Sequence, residues 1–138
     1  MTEYHVGRLI DHVHLRVTDL ERSARFYEAV LGALDPAIAI ERGDGWMAAD
    51  ELFLSADGPP SPVHLAFQAA DEAAVRRFHE AGLAAGGTDN GAPGERPYHP
   101  GYYAAYVLDP DGSNVEAVVH GPLTRSAPSV VLTPLETP

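Results

Sequence analysis

Apolar and polar residues alternate in two short segments of the chain, Ile10 to Val17 and Val63 to Ala69. A period of two is typical of a strand with one buried face. Each segment is followed by a stretch in which apolar residues recur at helical spacing. On the helical face of the first stretch lie Leu20, Ala24, Tyr27 and Leu31, and on that of the second lie Val75, Phe78 and Leu83. The pattern therefore predicts a strand followed by a helix, twice.

Residues that favour helix ends bracket both predicted helices. Thr18 or Asp19 is expected to cap the start of the first helix, and Asp71 the start of the second. Gly32 is available to end the first helix, and the second is expected to end before Gly86.

The two units are also related by sequence. Sliding the chain against itself by 52 residues gives seven identities in twenty aligned positions. The matched pairs are His12 with His64, Asp19 with Asp71, Arg25 with Arg77, Phe26 with Phe78, Glu28 with Glu80, Ala29 with Ala81 and Leu31 with Leu83. Because His, Asp and Phe keep one register, we interpret the match as an internal duplication.

Short segments separated by turn residues follow each helix. In the first unit they are about 36–42, 45–49 and 51–56, and in the second they are 102–108 and 113–120, which flank the turn Asp109-Pro110-Asp111-Gly112. The intervening stretch 86–101 holds five Gly and three Pro, so we expect a mobile loop near the molecule that the protein binds. The Pro-rich tail 121–138 is expected to lack regular secondary structure, although Ser129 to Leu132 could add an edge strand.

These elements predict an α+β fold in a single domain, residues 1–138. Module one covers about 8–57 and module two about 62–120, and each runs strand, helix, then two or three strands. Two such units are expected to pair their mixed sheets around a central cavity, with the helices outside.

Composition narrows the possible functions. The 138 residues include no Cys, which excludes disulfides, thiolate ligands and iron–sulfur clusters. The net charge is −11, and all nine positive side chains are scattered Arg, which argues against nucleic acid and anionic membranes. No apolar run approaches the roughly 20 residues of a membrane span, and no secretory signal is visible, so the expected location is the cytoplasm.

Three side chains are candidates for a metal site. In the first strand His12, His14 and Arg16 share the face opposite the apolar one, and the repeat places His64 opposite His12. Glu116 lies in the last regular strand among small apolar residues, where a carboxylate is costly to bury unless it is paired or bound to a cation. Two imidazoles and one carboxylate form a facial triad, which leaves coordination positions open. A single strand histidine is more often only a solvated or satisfied side chain, and Glu116 alone would suit a surface near a hairpin.

The segments Asp11 to Asp19, Phe26-Tyr27 and Leu31-Gly32 resemble the opening of the vicinal oxygen chelate superfamily, the glyoxalase, bleomycin-resistance and extradiol-dioxygenase group. The segment Tyr102 to Glu116, with its Asp-Pro-Asp-Gly turn, is similar to the closing signature of that superfamily. The resemblance spans about residues 8–120. It implies paired βαβββ modules. It does not distinguish among the activities of the superfamily.

Position by position, the resemblance implies that His12, His64 and Glu116 hold one divalent ion, Fe, Mn, Zn or Ni depending on the branch. It also implies a homodimer in which the ligands come from one chain or from both. A fourth carboxylate ligand, present in glyoxalase I, is not evident, because the matching strand reads Leu52-Phe53-Leu54.

Further candidates are weaker. His99 and Tyr103 could exchange protons with a substrate, and with Glu116 they form the predicted catalytic set. The substrate-binding candidates are His14, Arg16, Trp46 and Tyr102. The sequence leaves open whether Tyr102 or Tyr103 faces the cavity. Trp46 and Phe53 could line an apolar pocket, but side chains of this type more often belong to the core, which is the expectation here.

Two functions of different classes remain. The first is a metal-dependent enzyme acting on a small molecule with vicinal oxygens, by dioxygenase-like or lyase-like chemistry. The second is a non-catalytic protein of the bleomycin-resistance type that sequesters an antibiotic-like aromatic ligand, for which the acidic charge and the aromatic residues are suited. The possible metal triad favours the enzyme.

Overall fold

The computed structural model describes residues 4–6 and 10–135. In chain order its elements are β1 (Tyr4–Val6), β2 (Val13–Arg16), α1 (Leu20–Leu34), β3 (Ile40–Gly43), β4 (Trp46–Ala49), β5 (Leu52–Ser55), β6 (His64–Gln68), α2 (Glu72–Ala84), β7 (Thr88–Glu95), β8 (Tyr103–Leu108), β9 (Asn114–Val119) and β10 (Val130–Leu132). Neither described helix has the length and apolar character needed to cross a bilayer.

Two four-stranded sheets dominate the fold, with strand orders β2-β5-β4-β3 and β6-β9-β8-β7. Within each sheet the first strand pairs in parallel with the last strand of its module, and the other pairs are antiparallel. The predicted α+β class with two βαβββ modules is therefore confirmed. The edge strand expected near residues 129–132 is β10, which pairs antiparallel with β1.

Both helices begin at the aspartates that the duplication aligns. Asp19 accepts a hydrogen bond from Arg22 N at 3.2 Å, and Asp71 accepts one from Ala74 N at 2.8 Å. The expected end of α1 at Gly32 is wrong, since the helix continues to Leu34. A glycine in a helix interior costs only about 1 kcal/mol, and the buried Leu34 outweighs this by adding another apolar contact.

The expectation of a loop over 86–101 is also wrong for half of that segment. Residues 88–95 form β7, which pairs with β8 along its length, with register shifts between Asp89 and Gly91 and between Gly91 and Gly94. These irregularities let a Gly- and Pro-containing segment remain an edge strand. The Gly and Pro content of this segment therefore belongs in part to a bulged edge strand and not to a loop.

The two helices cover one face of each sheet and pack against each other. Phe26, Tyr27 and Phe78 are fully buried between the sheets and helices, together with Leu54 and Met47 from the first sheet. Burial of each such side chain stabilises the fold by about 1.5–3 kcal/mol. No helix of the described residues covers the opposite face of each sheet, and we call it the uncovered face.

A buried hydrogen bond joins the two modules. Tyr27 OH in α1 donates to Asp109 Oδ2 at 2.6 Å, and Asp109 Oδ1 accepts from the backbone N–H groups of Asp111 and Ser113, each at 2.9 Å. Burial and the Asp109 carboxylate raise the pKa of Tyr27 well above its ordinary value, so this phenol remains a donor. The Asp-Pro-Asp-Gly turn is therefore anchored to the helix of the other module.

Candidate functional site

The uncovered face of the second sheet carries a buried carboxylate. Glu116 lies on β9, paired with Ala66 of β6 on one side and with Tyr106 of β8 on the other. His64 lies on the same face as Ala66, two residues earlier in β6. Although no helix covers this face, Glu116 is only 2% exposed.

Both carboxylate oxygens of Glu116 have side-chain partners. Oε1 lies 2.8 Å from His64 Nε2, and Oε2 accepts a hydrogen bond from Tyr102 OH. Burial, followed by the Glu116 contact, raises the pKa of Tyr102 above its ordinary value, so Tyr102 donates a proton to this bond. The arrangement satisfies a carboxylate whose burial would otherwise be costly.

His64 and Glu116 fit a divalent cation as two of its ligands. Imidazole nitrogen and carboxylate oxygen are both ligands of divalent cations such as zinc, at bond lengths of about 2.0–2.2 Å. His64 Nε2 and Glu116 Oε1 are joined by a hydrogen bond of 2.8 Å, which an ion bound by both atoms would replace. Tyr102 occupies the other oxygen, as the partners that orient metal-bound carboxylates do.

The third predicted ligand lies elsewhere in the chain. His12 precedes β2, its side chain is 67% exposed, and its Nδ1 lies 2.7 Å from Asp11. Within residues 4–6 and 10–135 of one chain, no group of three His, Asp or Glu side chains could hold a metal ion. The described chain thus brings together two members of the predicted triad and leaves His12 on the other module.

The uncovered face of the first sheet has a different chemistry. A cavity of about 420 Å³ there is lined by His12, His14, Ala48, Asp50, Glu51, Leu52 and Phe53. The ring of Trp46 stacks on Phe53 with centroids 5.8 Å apart, and His14 meets Phe53 edge-on at 5.0 Å. Trp46 and Phe53 therefore belong to an aromatic surface beside this cavity and not to the helix-covered core.

His14 is held by a chain of polar side chains. Its Nε2 lies 2.6 Å from Ser55 Oγ, and Ser55 Oγ lies 2.7 Å from Asp57 Oδ1. Arg16, a predicted substrate-binding residue, pairs with the same carboxylate, with Nε 3.3 Å from Asp57 Oδ1. The hydrogen bond from Ser55 and the charge of Arg16 hold the pKa of Asp57 below its usual range, so this carboxylate stays ionised.

The structure resolves the choice between the two adjacent tyrosines. Tyr102 contacts Glu116, whereas Tyr103 lies on the helix-covered face, where Arg76 of α2 donates to its OH at 3.3 Å. The assignment of Tyr103 as a proton-transferring residue of the Glu116 site is therefore corrected. The reason is the strand alternation, which turns Tyr103 toward α2 together with Ala105 and Val107.

His99 does not contact Glu116 either. Its Nε2 lies 2.9 Å from His120 Nδ1, and its ring meets Tyr102 edge-on at a centroid distance of 5.4 Å. His99 thus reaches the carboxylate only through Tyr102. The predicted proton exchange between His99 and a substrate stays a prediction.

Two residues of the site were missed at the sequence level, Ser55 and Asp57. They lie at and just after the end of β5, and only the parallel pairing of β5 with β2 brings them beside His14 and Arg16. Their residue types alone carry no signal, because serine and aspartate are common at strand ends and turns.

Comparison with known proteins now identifies the family. The model of the Glyoxalase/Bleomycin resistance protein/Dioxygenase superfamily matches residues 9–117. The chain belongs to this superfamily. No curated protein sequence matches it.

Solved structures of other proteins resemble the chain in fold. A glyoxalase/bleomycin resistance protein from Albidiferax ferrireducens T118 is 32% identical, with a TM-score of 0.65, over 78% of this chain and 95% of that chain. A lactoylglutathione lyase from Agrobacterium tumefaciens is 20% identical, with a TM-score of 0.58, over 81% and 93%. TioX from Micromonospora sp. ML1 is 17% identical, with a TM-score of 0.60, over 84% and 98%. The last two similarities show a common fold alone.

Proposed function

We propose that this protein is a divalent-metal-dependent enzyme that acts on a small molecule with vicinal oxygens, by dioxygenase-like or lyase-like chemistry. The observation that carries the proposal is Glu116, a carboxylate 2% exposed on a sheet face without helices, in contact with an imidazole. A buried carboxylate is retained where it is paired or binds a cation. Its imidazole partner His64 is about half exposed, so the pair remains accessible from solvent.

His64 and Glu116 would hold the ion together with His12 of a second copy of the chain, in a homodimer. This assignment accounts for the position of His12 on the other module, where its exposed imidazole is available to a partner. A bound divalent ion would supply Lewis acidity toward the substrate oxygens. Tyr102 keeps the Glu116 carboxylate oriented, and the aromatic surface of Trp46 and Phe53 offers an apolar wall for the substrate.

Elemental analysis of the purified protein tests the proposal. We expect about one divalent ion per chain after incubation with Fe(II), Mn(II), Zn(II) or Ni(II) and removal of the excess. His64→Ala and Glu116→Gln are expected to abolish uptake while circular dichroism and thermal unfolding show a folded protein. His79→Ala is the matched control, because His79 pairs with Asp89 on α2 and β7 and not with Glu116. Absence of uptake by the wild-type protein would overturn the proposal.

A second function, sequestration of an aromatic ligand without catalysis, is supported by the aromatic groups on and beside the two uncovered faces. Trp46 stacks on Phe53 on the first sheet, and Tyr98 meets Tyr102 edge-on beside the second, at a centroid distance of 4.9 Å. Such rings, in a chain with net charge −11, suit a flat or cationic ligand. Tight binding of an aromatic cation by metal-free protein that takes up no ion would favour this function over the first.

A further inference from the structure

The polar chain from His14 to Asp57 determines which nitrogen of His14 carries a proton. Ser55 Oγ lies between two groups, 2.6 Å from His14 Nε2 and 2.7 Å from Asp57 Oδ1. An ionised carboxylate only accepts hydrogen bonds, so the single hydroxyl proton of Ser55 must point to Asp57. Ser55 Oγ therefore accepts from His14, whose Nε2 bears the proton.

The second nitrogen of a neutral His14 is then an acceptor. With the proton on Nε2, Nδ1 carries a lone pair. Within the described part of the chain, Nδ1 of His14 has no hydrogen-bond partner. The side chain is 30% exposed and lines the cavity of about 420 Å³, so a small ligand can reach it.

The surroundings of His14 restrict the ligand further. Phe53, which meets the His14 ring edge-on, presents an apolar aromatic surface that is extended by the stacked ring of Trp46. The net charge of the chain, −11, disfavours an anionic ligand. The volume falls within the range of small-molecule sites, about 300–1,000 Å³.

We propose that His14 is a specificity-determining residue, whose Nδ1 accepts a hydrogen bond from the O–H or N–H group of a planar, non-anionic aromatic ligand lying against Phe53. This inference rests on the proposed function in taking the uncovered face of the first sheet as part of the ligand site. It adds the chemical class of the ligand and the reason that Ser55 and Asp57 are placed behind the imidazole.

The tautomer is tested first, on the full-length protein by ¹⁵N–¹H correlation spectroscopy of the histidine rings at about pH 8, where an ordinary imidazole is neutral. We expect His14 to be the Nε2–H tautomer in the wild type. Asp57→Ala releases the Ser55 proton to donate toward His14, so the Nδ1–H form is expected to rise. Asp44→Ala, which removes the same charge from the exposed β3–β4 turn, is the matched control and should leave the tautomer unchanged. A wild-type His14 that carries its proton on Nδ1 would overturn the proposal.

Binding of three probe compounds tests the ligand class. Wild-type protein is expected to bind 2-naphthol about 3- to 10-fold more tightly than 2-methoxynaphthalene, which lacks the donor, as one net hydrogen bond predicts. 2-Naphthoate, which is anionic, should bind most weakly. The preference for the hydroxyl is expected to disappear in His14→Phe and to shrink in Asp57→Ala, a substitution at an exposed position whose folded state is checked by circular dichroism. Equal binding of naphthol and its methyl ether by the wild type, or a preference that persists in His14→Phe, would overturn the inference.

The two proposals fail separately. If the wild type takes up one ion per chain but does not distinguish the naphthol from its ether, the proposed metal site is supported and the proposed role of His14 is overturned. If the hydroxyl preference depends on His14 but no ion is taken up, the proposed ligand class is supported and the proposal of a metal-dependent enzyme is overturned.

Discussion

Phe53 occupies in the first sheet the position that Glu116 occupies in the second. Phe53 pairs with His14 in the parallel ladder of β2 and β5, and Glu116 pairs with Ala66 in that of β6 and β9. The 52-residue shift places His14 on Ala66, so the two ladders correspond residue by residue. One module therefore carries an aromatic ring where the other carries a carboxylate. The phenyl ring of Phe53 has no atom that binds a cation, so this position of the first module does not supply a fourth carboxylate ligand.

The subunit origin of the proposed ligands is tested by mixing two variants. His12→Ala and His64→Ala should each fail to bind an ion. If the ligands come from two chains, random reassociation of the variants forms heterodimers that contain one intact site, so about one site in four should recover. The ion content of the mixture after unfolding and refolding together provides the measurement, and each variant refolded alone is the control. No recovery in proven heterodimers would place all ligands in one chain.

Tyr102→Phe is expected to weaken ion binding without preventing it. The substitution removes the donor to Glu116 Oε2, and loss of such a partner lowers metal affinity about 10- to 100-fold. Competition with a chelator of known affinity measures the change. Tyr103→Phe is the control, because its hydroxyl faces Arg76 of α2 and should leave the affinity as it is. Similar losses in the two variants would contradict the orientation of Glu116 by Tyr102.

The bond between the modules should contribute measurably to stability. Tyr27→Phe leaves buried Asp109 Oδ2 without its phenol donor, and we expect the free energy of unfolding to fall by about 1–3 kcal/mol. Urea unfolding with an unchanged m-value would measure this loss. Tyr98→Phe, at a 68% exposed position, should change stability by less than about 0.5 kcal/mol. A Tyr27→Phe variant as stable as the wild type would show that Asp109 finds another donor.

Substitution of alanine at two glycines should change the stability of the protein in opposite directions. A Cβ at Gly32, exposed in α1, would meet nothing within 4 Å, so Gly32→Ala is expected to stabilise the protein by about 0.5–1 kcal/mol. A Cβ at Gly87 would lie 2.4 Å from Val107 and 2.7 Å from Phe26, so Gly87→Ala should destabilise it by about 1–3 kcal/mol. Thermal unfolding of the two variants provides the comparison. A lower midpoint for Gly32→Ala would indicate that the backbone there needs glycine.

At low pH the protein should lose the contribution that the ionised Asp89 carboxylate makes to the stability of the fold. The hydrogen bond from His79, and then that from Gly91 N, lowers the pKa of this carboxyl in the folded protein. A carboxyl with a lowered folded pKa stabilises the fold above its unfolded pKa, about 3.9, and loses this contribution as the pH falls through the lower folded value. The stability difference between wild type and Asp89→Asn should therefore shrink as the pH falls below about 4. A difference that grows in acid would contradict this assignment.

Local patterns predicted the elements whose signals lie in adjacent residues. The alternation around His14 and His64, the capping aspartates Asp19 and Asp71 and the repeat register all correspond to observed elements. The strand β7 was missed, because its pairing with β8 satisfies a Gly- and Pro-containing backbone in a way that local composition does not indicate.

The sequence by itself determined the strand and the helix that open each module and the residue types that can bind a cation, because side-chain periodicity and capping act over a few residues. Only the tertiary structure decided that Tyr102 rather than Tyr103 reaches Glu116, that Ser55 and Asp57 support His14, and that His12 lies apart from His64. These relationships depend on strand register and on how two sheets are joined through α1 and α2. A shift of one residue in either ladder would turn the side chains of a strand to its other face, and no short stretch of sequence specifies that pairing.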